Sequence, residues 1–163
     1  MPIHPSLLEL RLKVDSFFAR VQLAHSEAFA CRHGCADCCA VDLTIFPVEA
    51  GPIEEALKAA PDSLLQAIAA RRTRNDHCVM LVNGACAVYE QRPIICRSQG
   101  LPLLADEERA VCPRNFVGSD LDGLATGDVL NLNTLNTLLS VLHQIYCRET
   151  GSSPERIRVA DLL

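Results

Sequence analysis

Residues 31–40 read CRHGCADCCA, which places Cys31, Cys35, Cys38 and Cys39 within nine positions and sets the last two side by side. The chain holds nine cysteines in all, at 31, 35, 38, 39, 78, 86, 96, 112 and 147. Whether these thiols are a disulfide frame or a ligand set depends on the compartment. The N-terminal stretch MPIHPSLLELRLKVD interrupts its leucines with Glu9, Arg11 and Lys13, so it offers neither a continuous apolar core for a secretory leader nor a membrane span of about 20 apolar residues. A cytoplasmic, reducing setting is expected. There, an odd number of cysteines points to metal ligation rather than to paired bridges.

Eight of the nine cysteines fall between residues 31 and 112, while Cys147 stands apart in a helical pattern. Cys147 is therefore expected to be a small packing residue. Thiolates are soft donors that favour zinc or iron–sulfur centres over Mg²⁺ or Ca²⁺. Thiols two or three residues apart, such as Cys31, Cys35 and Cys38, chelate one ion comfortably, whereas neighbouring side chains are expected to diverge. Cys38 and Cys39 are accordingly expected to serve two metal positions, as separate sites or in a thiolate-bridged cluster, with Cys78, Cys86, Cys96 and Cys112 completing the donors. A vicinal disulfide is the competing reading of the pair. The spacing of Cys31, Cys35 and Cys38 also resembles the cluster motif of radical S-adenosylmethionine enzymes. That reading is rejected, because their β/α barrel needs about 200 residues or more of alternating strand and helix patterns.

A chain of 163 residues, 49% hydrophobic, is sized for a single domain over 1–163. A net charge of −5 and a pI near 5.5 argue against nucleic acid or an anionic membrane as the partner. The densest basic run, Ala70-Arg71-Arg72-Thr73-Arg74, reads as the solvated end of a helix. Leu7, Leu10, Val14, Phe17, Val21, Ala24 and Ala28 recur at helical steps, predicting an N-terminal helix over 5–30 that packs on its own domain. Further helices are expected over 48–59 and 63–74. A C-terminal helix over about 129–150 has Leu135, Leu138, Leu139, Leu142, Ile145 and Tyr146 on one face and Gly151 at its end. Residues 75–128 are rich in turn formers, including Asn83-Gly84, Arg92-Pro93 and Cys112-Pro113. The expected fold is mainly α: a small helical domain carrying a loop-rich, cysteine-rich metal-binding insert over 31–112.

The elements CRHGCADCC, HCVML, CAVYEQRPIICR and a trailing CP resemble the YkgJ family of cysteine-cluster proteins, over approximately residues 31–112. The resemblance implies a zinc- or iron-chelating domain with Cys31, Cys35, Cys38, Cys39, Cys78, Cys86, Cys96 and Cys112 as metal ligands. A related cluster occurs in flagellin lysine methylases. This chain has no glycine-rich strand-to-helix signature for S-adenosylmethionine, so that activity is not carried over.

Arg92 and Arg97 flank Cys96, and a guanidinium near a thiolate cluster would lower thiol pKa values and offset surplus negative charge. Tyr89 is expected to cover the site or hydrogen-bond a sulfur, and Pro93 to fix the turn. His33 and His77 are weaker ligand candidates beside the cysteines, while His4, His25 and His143 read as structural or exposed. The leading expectation is a metal-binding protein with an iron–sulfur or zinc centre, leaning to iron–sulfur, in a redox, metal-handling or accessory role beside a protein partner. The alternatives are an iron-dependent enzyme with an open coordination position and a zinc-stabilised interaction module.

Overall fold

In the computed structural model, residues 3–32, 34–72 and 77–163 are described, and among them the chain forms five α-helices and seven strands of two or three residues. The fold is predominantly helical. Helix α1 (Pro5–Ala24) starts with Pro5 in its first turn, where a missing N–H costs nothing, and buries Leu7, Leu10, Val14 and Val21 at the expected spacing. It stops six residues short of the expected Ala30. His25 leaves helical geometry at φ −127°, its Nε2 lies 2.9 Å from an Asp128 carboxylate oxygen, and the Ala28 carbonyl accepts a hydrogen bond from Phe116 N at 2.7 Å. Long-range partners thus take over where the local period would have continued the helix.

After strand β1 (Thr44–Ile45), helix α2 (Pro47–Lys58) and helix α3 (Asp62–Ala69) follow. The second of these ends earlier than the expected Arg74, with turn hydrogen bonds from Arg71 N to Ile68 O and from Arg72 N to Ala69 O. Arg72 is exposed as expected but pairs with Asp161 at 3.7 Å, and Thr73 and Arg74 lie outside the described residues.

The turn-rich stretch contains more pairing than its composition suggested. Strands β2 (Leu81–Val82) and β3 (Ala85–Cys86) form an antiparallel hairpin. Its tip is Asn83-Gly84, both at positive φ (52° and 77°), the turn geometry whose twist matches the strands. Helix α4 (Ile94–Ser98) leads into strand β4 (Leu103–Ala105), which pairs antiparallel with β5 (Glu108–Ala110) and parallel with β6 (Leu130–Asn131).

Helix α5 (Leu132–Thr150) is capped at both ends as its sequence requires: the Asn131 side chain accepts from Thr134 N at 2.8 Å, and Gly151 takes the left-handed conformation at φ 70°. It buries Leu135, Leu139, Leu142, His143 and Tyr146. Leu138 and Ile145, expected on the same face, are 53% and 44% exposed, because the covered stripe is narrower than the apolar one. Strand β7 (Ile157–Arg158) then pairs with β1.

Two apolar clusters result. One joins α1, α5, Val48 and Ile94; the other joins α2, α3, Val79, Met80 and Val88 with Val159 and Ala160 of the C-terminal tail. Helix α2 lies between them. Its buried Glu49 accepts a hydrogen bond from Ile94 N at 2.8 Å, which fixes the first turn of α4 and hence the position of Cys96.

Candidate metal centre

Beyond the end of α1, Phe29 packs edge-on between Phe18 and Phe116 and delivers the chain to Cys31. The Cys31 sulfur faces Asn115, whose Nδ2 lies 3.2 Å away and also donates to Gly100 O at 2.7 Å. Asn115 Oδ1 accepts from Ala30 N at 2.9 Å, so this buried amide is held from three sides. Asn115 N in turn donates to Cys112 O at 2.8 Å, which places the last clustered cysteine beside the first. Gly100 sits at φ +94°, and a Cβ there would lie 2.8 Å from the Cys31 sulfur. The absence of a side chain makes room for the thiol. Arg114, paired with Asp37 at 2.6 Å, reaches Cys35 Sγ at 4.0 Å.

A second group forms on the hairpin side. Cys78 N donates to Cys39 O at 2.6 Å, and Leu81 N to Cys78 O at 3.0 Å, while Leu81 pairs with Cys86 across the β2–β3 ladder. Cys78 and Cys86 pack partly against the apolar cluster of α2 and α3. Cys96, on α4, is close enough for the charges of Cys78, Cys86 and Cys38 to act on it.

Cys38 and Cys39 occupy a 3-10 turn, Asp37–Cys39. Adjacent side chains on a helical turn are separated by about 120° rather than the 180° of a strand, and each of these two thiols shifts the other's protonation. Divergence therefore does not by itself send the pair to different metals. The hydrogen bond from Cys39 pulls the Cys38 thiol down to about 6, against the opposing effect of burial. The same contact, with burial, pushes Cys39 up. Burial also raises Cys31, Cys78 and Cys86, and carries Cys96 up to about 12. Gathering thiols in a half-buried site without a cation keeps most of them protonated.

The flanking residues divide. Arg92 stacks over the Tyr89 ring at 3.9 Å, donates to Tyr89 O at 3.2 Å, and its charge lowers Cys38 and Cys86. Tyr89 itself is 56% exposed. Arg97 is buried and uses its guanidinium elsewhere: Nε donates to Arg92 O at 3.0 Å, one terminal nitrogen meets Asp15 at 2.5 Å, and the other donates to Glu90 O. It ties the turn before Cys96 to α1, an arrangement that Arg11 reinforces by donating to Gln91 O at 3.1 Å.

Cys147 lies in α5, its sulfur 3.4 Å from His143 Nε2 and donating to Ser153 O at 3.4 Å. His77 lines a small cleft with Asp42, Cys78 and Arg158, and His33 lies outside the described residues. Sequence reasoning missed Asn115, Arg114 and Gly100. Adjacency to Cys112-Pro113 was the sole signal for the first two, and nothing local marks an asparagine as buried.

All nine cysteines are free. Among the described residues no three His, Cys, Asp or Glu side chains already converge to metal-binding distance. The donor chemistry nonetheless fits a soft metal: seven half-buried thiols and the exposed Cys38 on neighbouring segments, with Arg92 and Arg114 at hand and no oxygen ligand array among them. No described helix is long and apolar enough to cross a membrane.

A half-buried gathering of thiols on turns and a hairpin defines a cysteine-based metal-chelating class. The family model for CxxCxxCC, described as a "putative zinc- or iron-chelating domain", matches residues 30–113, just over half of the chain, and the chain belongs to that family. The interval between Cys31 and Cys35 is one residue longer than the family's label spells. Comparisons with curated proteins and with solved structures find no match.

Proposed function

We propose that the chain is a YkgJ-type cytoplasmic protein whose Cys31, Cys35, Cys38, Cys39, Cys78, Cys86, Cys96 and Cys112 hold an iron–sulfur or zinc centre, for a redox, metal-handling or accessory role beside a protein partner. The observation that carries this reading is the gathering of eight free thiols from four separate stretches of chain. Burial, with neighbouring thiols adding to it, raises Cys31 and Cys96, and holding such thiols in place is unfavourable unless a cation displaces their protons. When bound, an iron–sulfur centre supplies one-electron transfer and zinc supplies a folding anchor.

Around the metal, the protein's own residues have separate tasks. Arg92 places positive charge near Cys38 and Cys86, Tyr89 backs that guanidinium, and Arg97 holds the turn that carries both. Asn115 orients Cys31 by donating to its sulfur. Clustered thiolates beside arginine favour iron–sulfur over zinc in this reading. The test is elemental analysis with an absorption spectrum on protein purified without oxygen. Iron, sulfide and a broad absorption near ~400 nm are expected; colourless protein with stoichiometric zinc would move the centre to zinc. Folded protein with free thiols and neither metal would refute the reading.

A further inference from the structure

Resting on the metal-binding reading, we infer that the eight thiols divide into two four-thiol sites, Cys31, Cys35, Cys38 and Cys112 in one and Cys39, Cys78, Cys86 and Cys96 in the other. The division follows from what ties each cysteine in place. Cys31 and Cys112 are joined through Asn115, which donates to the sulfur of the first and to the carbonyl of the second. Cys35 meets the same 112–115 segment through Arg114. Cys39 is pinned the other way, its carbonyl taken by Cys78 N, and Cys78 is turned into the hairpin that bears Cys86.

Cys96 is the remaining donor and completes the second group. Cys38 adjoins Cys39 in the turn Asp37–Cys39. It is assigned to the first because two residues separate it from Cys35, a chelate spacing for one tetrahedral ion, and because Cys31, Cys35 and Cys112 otherwise lack a fourth donor. Each site has an arginine close by, Arg114 at the first and Arg92 at the second, against a formal charge near −2 for a divalent ion with four thiolates.

The experiment loads metal-free full-length protein with zinc and counts bound ions by native mass spectrometry. Wild type is expected to hold two. Cys112→Ser and Cys96→Ser should each hold one, Cys31→Ser/Cys112→Ser should still hold one, and Cys112→Ser/Cys96→Ser should hold none. Complete loss from the same-site double variant would overturn the division. Since variants can unfold, cadmium NMR of wild type gives an independent readout: two resonances without cadmium–cadmium coupling are expected, and coupling through a bridging thiolate would overturn it. Wild type that binds neither ion fails at the metal-binding reading itself and takes the division with it.

Discussion

Gly100→Ala probes the packing around Cys31 without touching a thiol. The glycine is at φ +94°, and an added Cβ would lie 2.8 Å from Cys31 Sγ, 3.1 Å from Asn115 Nδ2 and 3.8 Å from Phe18. Holding an L-residue in that region costs about 1–3 kcal/mol. Overpacking a filled site costs about 1–3 kcal/mol more, so the combined loss is about 2–6 kcal/mol. The structure has two ways to relieve the clash. If the backbone shifts, the hydrogen bonds of Asn115 to Gly100 O and Ala30 N weaken and the loss appears in urea denaturation of metal-free protein. If Cys31 rotates away, stability recovers but metal dissociates faster to a competing chelator. A variant that loses under ~0.5 kcal/mol, the ordinary range for innocuous substitutions, and retains its metal at the wild-type rate would refute the packing argument.

Cys147→Ser is expected to leave bound metal unchanged and stability within about 1 kcal/mol, since a serine hydroxyl can still donate to Ser153 O; metal counting and thermal unfolding check it. In metal-free protein at neutral pH, Cys38 should be alkylated first by iodoacetamide and Cys96 last, as mapped by peptide mass spectrometry, because Cys38 is exposed and pulled down to about 6 while burial carries Cys96 up to about 12. Early modification of Cys96 would contradict the packing of α4. Burial raises the Glu49 carboxyl above its unfolded value, so the stability it contributes is fully present below the ordinary carboxylate range and lost as pH rises through the raised value. Wild type should therefore lose stability relative to Glu49→Gln between mildly acidic and neutral pH; a difference independent of pH would contradict the shift.

What the sequence could reveal was whatever is written locally. The buried faces of α1 and α5 follow from Leu7, Leu10, Val14 and Val21 and from Leu135, Leu139 and Leu142, and Gly151 marks a helix end through a conformation that glycine adopts freely. The eight clustered thiols stood out as candidate donors because few other roles suit so many cysteines in a short span. Features that depend on distant pairing were not legible. Strand β1 exists because β7 returns from the C-terminus to meet it, with Arg156 donating to Thr44 O at 2.7 Å and Arg158 pairing with Asp42 at 3.0 Å. Two-residue strands carry no period to detect. For the same reason α1 overran its true end at His25, and Arg97, adjacent in sequence to Cys96, gave no sign that Asp15 would claim it.

The central claim is that sulfur from this chain's cysteines holds the metal. X-ray absorption at the edge of the metal that copurifies with the protein reads the identity of its nearest neighbours directly. A shell made of sulfur, at about 2.3 Å for zinc or iron thiolate, is the predicted result. A shell dominated by nitrogen or oxygen would contradict the account.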